Sequence, residues 1–162
     1  GLEVDGELVV GVVNAPKLGL RFTGAKGLGS FVNGERLKVS TRSVMKDGLF
    51  ATGFSSYDNT LDEQLELLAT IVKHSRGIRR AGAAALDLCL VAQGVFDVYW
   101  EKNLSPWDTA GGVVIAREAG AIVSDMNGQQ PYDPRMKSLL CGNPALLAET
   151  LRFMQEIAKR KG

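Results

Sequence analysis

Glu101 and Asp108 stand seven positions apart in EKNLSPWDTAGGVVIAREAG, on either side of a Ser-Pro-Trp corner, and Asp108 sits at the mouth of a Gly-containing helical run. An acid at a helix mouth has two readings. As a cap, Asp108 accepts hydrogen bonds from first-turn N–H groups. As a ligand, it offers a hard oxygen to Mg2+, which bridges protein carboxylate to substrate phosphate where free N–H groups and the helix dipole already attract anions. Gly111 and Gly112 cost the helix about 1 kcal/mol each relative to Ala. They leave the first turns bare, which implies that something approaches closely. Glu101, closing the strand-like VFDVYWE, is the second oxygen donor, to the metal or to substrate hydroxyls; as a mere strand end it would be solvated.

Covalent chemistry finds few candidates. The single histidine, His74, ends a helical segment and reads as a C-terminal cation. Cys89 and Cys141 lie in apolar surroundings and read as small buried hydrophobes of a reducing compartment, which favours a cytoplasmic setting. The glycines of TGAKGLG have no Gly-Lys-Ser/Thr and no strand-to-helix context, so a nucleotide loop is rejected.

The elements that must hold the two acids follow from pattern. Asp5-Gly6 and Asn33-Gly34 are hairpin turns, making the first forty residues an antiparallel meander. LFATGF (49–54) is a strand. From Thr60 to His74, Leu61, Leu65, Leu68 and Val72 form one helical stripe. A strand at GIRRAG, an apolar helix from Ala83 to Gln93, the strand VFDVYW and a helix from Asp108 to Gly120 follow. AIVSD and KSLLCGN are strands, and a last helix carries Pro144 in its first turn. The class is α+β, mixed and layered.

Composition sets the frame. The chain has 162 residues, 45% of them hydrophobic, enough for one compact core. Nineteen basic residues against 18 acidic ones leave a formal charge of +1, so no field implies a nucleic-acid or membrane partner. No run of apolar residues is long enough to span a bilayer, and the N-terminus has no signal-peptide pattern.

PWDTAGGVVIAREAG resembles the C-terminal signature of the inositol monophosphatase family, and VVNAPKLGLRFTGAKGLGSFVNGERLKVS and RRAGAAALDLCLVAQGVFDVYWE resemble its meander and its Gly-x-Ala helix start. The likeness runs collinearly from about residue 2 to about residue 155. It implies a layered αβαβα sandwich, a homodimeric habit and Mg2+-dependent hydrolysis of inositol monophosphate or a related sugar phosphate by metal-activated water. It assigns Asp108 to metal binding and catalysis, Glu101 to substrate hydroxyls, and Gly82, Ala83 and Ala84 to the pocket lining. Position 83 is Ala where some members carry Thr, which removes one hydroxyl contact.

The family's Asp-Pro-x-Asp-Gly-Thr metal motif has no counterpart here; YDPRM (132–136) shares only its Asp-Pro. Residues 1–162 are therefore expected to be the C-terminal three-fifths of a single domain of this family. Within the superfamily, fructose 1,6-bisphosphate or a 3′-phosphoadenosine nucleotide is an alternative substrate, with Tyr57, Arg79 and Arg80 placed for a second phosphate. A catalytically incompetent assembly or regulatory domain is the alternative of another class.

Overall fold

In the computed structural model, which describes residues 1–54 and 61–160, the first forty residues form the expected meander. Strands β1 (Leu2–Val4), β2 (Glu7–Ala15), β3 (Leu20–Ala25), β4 (Gly29–Val32) and β5 (Glu35–Arg36) pair in sequence order, each antiparallel to the next. Asp5 and Gly6, and Asn33 and Gly34, all have positive φ, as tight turns between twisted strands require.

The second sheet has the order β7-β6-β8-β10-β9. Its strands are β6 (Leu49–Gly53), β7 (Gly77–Arg79), β8 (Val98–Lys102), β9 (Ile122–Ser124) and β10 (Ser138–Gly142). β6 runs parallel to β7 and β8, whereas β10 is antiparallel to β8 and β9. Alternation along β8 sends Val98 and Trp100 to one face and Tyr99 to the other.

Those two faces carry different helix pairs. Phe50, Trp100 and Leu140 pack with α1 (Leu61–His74) and α4 (Pro144–Lys159). Ala51, Tyr99 and Leu139 pack with α2 (Ala84–Ala92) and α3 (Pro106–Glu118), whose far side is closed by Leu8, Phe22 and Val32 of the meander. The layers run sheet, helix pair, sheet, helix pair. A helix between two sheets must be apolar all round, and Gly111 to Ala116 are all buried.

That placement corrects the reading of the two α3 glycines. A Cβ at Gly112 would stand 2.8 Å from the Leu88 side chain, and one at Gly111 would stand 3.2 Å from the Val12 carbonyl oxygen. Gly11 and Gly24 are bare for the same contact, facing Gly111 and Ile115. What approaches the bare turns is the meander on one side and α2 on the other; the glycines serve packing.

The α1 stripe is also corrected. Gln64, Leu67 and Ile71 are buried, while Leu65 and Val72 are exposed. A run with apolar side chains at 61, 65, 67, 68, 71 and 72 offers two adjacent stripes, and α4 decides which is used. Among the described residues, no helix is long and apolar enough to cross a membrane.

Candidate active site

The chain path creates a switch point at β6. From β6 it passes through α1, on one face of the sheet, to β7; from β7 it returns through α2, on the other face, to β8. Where connections diverge this way, the crevice beyond the carboxyl ends of the strands is open to a ligand. Gly53 ends β6, Arg79 ends β7 with Arg80 just after it, and Glu101 lies near the end of β8. The first turns of α2 and α3 come to the same edge, since Asp87 of one and Asp108 of the other both interact electrostatically with Glu101.

Asp108 enters this edge from inside its helix. α3 starts at Pro106, earlier than expected, with Ser105 as N-cap and Asp108 as the third helical residue. Its Oδ2 accepts the Ser105 N–H at 2.9 Å, and its own N–H donates to the Ser105 carbonyl. Asp108 is thus a helix-start residue, but not the cap itself. Its Oδ1 makes no hydrogen bond among the described residues. The preceding Trp107 is 82% exposed, which leaves the mouth of α3 open.

Glu101 is half-buried. Burial raises its pKa; the Tyr99 hydroxyl and the Arg80 guanidinium oppose that shift, and the Asp108 charge adds to it. The last contribution links the two acids electrostatically. The Tyr99 hydroxyl donates to Glu101 Oε2 at 2.5 Å, on the same strand face two residues away. Behind them Asp87 is buried, with one carboxylate oxygen unpartnered, and its pKa is pushed up to about 6 by burial and by the Glu101 charge.

The remaining expected residues divide. Gly82, with φ of +84°, and Ala83 form an exposed turn that caps α2, and Ala84 is its first residue, packed against the core. A backbone hydrogen bond from Ala83 to Asp87 ties this turn to the acid cluster. Arg80 stacks over the Phe54 ring and donates to the Phe54 carbonyl, within electrostatic reach of Glu101. Arg79 bonds the Ile78 carbonyl of its own strand. Tyr57 lies outside the described residues.

His74 is exposed, with Nδ1 2.8 Å from the Thr70 carbonyl. Cys89 and Cys141 are free and buried, and burial pushes the Cys89 thiol up to about 12. Neither is a nucleophile at neutral pH.

Three residues of the site were missed in the sequence. Tyr99 carried a signal, because period two puts it beside Glu101. Asp87 carried another, as a lone charge in the apolar ALDLCLVA. Gly53 carried none; only the pairing of β6 with β8 sets it opposite Glu101.

As a metal centre the cluster is partial. The free Oδ1 of Asp108 is a donor of the right hardness for Mg2+, yet among the described residues no three His, Cys, Asp or Glu side chains gather around one point. Asp108 thus offers one hard oxygen donor, and no complete metal cluster forms among the described residues. A cavity of about 320 Å3 lies elsewhere, between α1 and α4, floored by Leu67, Met154 and Ile157 and bordered by the Lys102–Glu63 ion pair. It does not contain the acids.

A five-stranded meander, a central helix pair and a switch-point sheet presenting acids beside two helix mouths define a layered α+β fold. The chain belongs to the inositol monophosphatase family, whose sequence model matches residues 1–159. It is 43% identical over 130 residues to the Nus factor SuhB of Pseudomonas aeruginosa, covering 78% of this chain and 48% of that protein. It is 35% identical over 161 residues to a fructose-1,6-bisphosphatase/inositol-1-monophosphatase of Aquifex aeolicus, covering 99% and 58%. The crystal structure of the extragenic suppressor protein suhB from Bartonella henselae superimposes with a TM-score of 0.90 at 37% identity, covering 94% of this chain and 59% of that one. The chain thus spans about half to three-fifths of the length of these relatives.

Proposed function

We propose that this chain is the C-terminal portion of a single-domain, Mg2+-dependent phosphatase that hydrolyses inositol monophosphate or a related sugar phosphate. The observation that carries the reading is the convergence of Asp108 and Glu101 on one crevice, at the ends of parallel strands and between two helix mouths. Asp108 would hold the cation through its free oxygen, with the other ligands contributed from outside the described residues. Bound there, Mg2+ supplies a water of lowered pKa and neutralises phosphoryl charge. The first turn of α3 presents its dipole to the phosphate side of the ligand. Glu101 accepts from substrate hydroxyls, and Gly82, Ala83 and Ala84 shape the wall. Gly1 lies against Ala110, so a segment joined before Gly1 would enter beside Asp108.

The test is phosphate release by the intact protein from inositol monophosphate over a Mg2+ titration, with fructose 1,6-bisphosphate and a 3′-phosphoadenosine nucleotide as competitors. The reading expects Mg2+-dependent turnover with inositol monophosphate preferred; preference for either competitor would move the assignment to a bisphosphate phosphatase. The P. aeruginosa relative is a Nus factor, which favours a second reading as an assembly or regulatory domain. The absence of both turnover and binding of inositol monophosphate in the presence of Mg2+ would support it. A cytoplasmic homodimer is the proposed state, and sedimentation at micromolar concentration showing only monomer would count against the dimer.

A further inference from the structure

We propose that Tyr99 and Gly53 are positioning residues for Glu101, together fixing which carboxylate oxygen meets the substrate and so setting the preference for polyol phosphates. The inference rests on the reading of Glu101 as the acceptor of substrate hydroxyls.

Tyr99 acts from behind. It is fully buried, and its hydroxyl donates to Oε2 of Glu101. Burial and the charges of Glu101 and Asp87 push the phenol far above its usual range, so the hydroxyl remains a donor at every working pH. Oε2 therefore always carries the phenol's hydrogen bond, and Oε1 is the oxygen with no protein donor among the described residues. A carboxylate that could spin freely would accept from a hydroxyl in many directions; one held by a buried phenol accepts in a narrow cone. Specificity of this kind comes from polar groups whose orientation is fixed before the ligand arrives.

Gly53 acts from the side. It is the register partner of Glu101 across β6 and β8, and a Cβ built on it would overlap the carboxylate. Gly53 does not have a positive φ, so conformational freedom does not explain the glycine. Space for the carboxylate does. Any larger residue would turn Glu101 away from the place where Tyr99 holds it.

The test compares inositol monophosphate with p-nitrophenyl phosphate, which has no hydroxyls to read, in the intact protein. The quantity measured is the ratio of the two kcat/KM values. For Tyr99→Phe and for Gly53→Ala the ratio is expected to fall roughly tenfold, the loss of one charge-assisted hydrogen bond. The fall should lie mainly in KM for the inositol ester, and calorimetric titration with that ester should weaken by the same factor. Glu101→Gln is the reference. If it lowers the ratio and Tyr99→Phe does not, the positioning role is wrong while the assignment of Glu101 stands. If Glu101→Gln leaves the ratio unaltered, the hydroxyl-acceptor reading fails and this inference falls with it. Equal losses on both substrates in Tyr99→Phe, with a lowered melting temperature, would show a structural role only and overturn the proposal.

Discussion

Asp108 Oδ2 accepts the backbone N–H of Ser105 at 2.9 Å, closing the first turn of α3 while leaving Oδ1 uncommitted. The residue therefore has a structural oxygen and an available one. Asp108→Asn separates the two, because an amide oxygen can still accept from Ser105. Thermal stability is expected to change by less than about 1 kcal/mol. On the proposed metal-binding role, activity of the intact protein is expected to fall by orders of magnitude, since the anionic oxygen that would be offered to Mg2+ is gone. Phosphate release over a Mg2+ titration with a parallel melt reads both; near-normal turnover at moderate Mg2+ would return Asp108 to a helix-start role.

Glu118 belongs to the same signature, and its role is mechanical. One carboxylate oxygen accepts from the Gly27 N–H at 2.9 Å and the other from the Gly29 N–H at 2.8 Å, pinning the β3–β4 turn to the end of α3. Gly27 and Gly29 both have positive φ, so the turn presents its N–H groups outward as a pair. Glu118→Ala leaves both donors without that partner and is expected to cost roughly 1–3 kcal/mol. Chemical denaturation would show it, and hydrogen exchange should rise first at residues 26–29. Exchange unchanged there would mean that the turn holds itself.

Asp97 is a fully buried acid outside the site, surrounded by donors. Ser40 Oγ, Arg42 Nη1, the Leu49 N–H and Asn143 Nδ2 all direct hydrogens to it. Its carboxylate joins the segment after β5 to the start of β6 and to the N-cap of α4. Asp97→Ala strands several buried donors and the Arg42 charge, so a loss on the order of 3–5 kcal/mol is expected. Urea denaturation measures it; a loss below about 1 kcal/mol would mean that water replaces the carboxylate.

Sequence pattern recovers this fold well where local physics is decisive and poorly where a distant element decides. The Asp5-Gly6 and Asn33-Gly34 turns need positive φ and announce themselves. Pro144 at the start of α4 does so too, with Asn143 as its N-cap. Gly112 looks like a functional opening until Leu88 is seen against it, and Leu65 looks like core until α4 is seen to choose the neighbouring stripe. Glu101 and Asp108 were legible by type and by resemblance. Gly53 was not, because its meaning is the register of two strands 48 residues apart in sequence.

Asp87 gives the site a pH dependence whose sign is fixed by its burial. Its pKa lies at about 6 in the folded chain against 3.8 for the ordinary group. Between those values the native state binds more protons than the unfolded one, so stability falls as pH rises. The favourable contribution is complete below about pH 3.8 and is lost as pH rises through about 6. Two units correspond to something on the order of 3 kcal/mol. Glu101, also raised, adds a slope of the same sign. Comparing wild type with Asp87→Asn isolates the Asp87 share, because the amide does not titrate and can keep the backbone hydrogen bond from Ala83. Denaturation at pH 4 and pH 7.5 should show the variant more stable than wild type at the higher pH, by about 1–3 kcal/mol, with the gap closing at the lower. A constant gap across the range would mean that Asp87 ionises in the folded chain as easily as in the unfolded one, and that its unpartnered oxygen is hydrated after all.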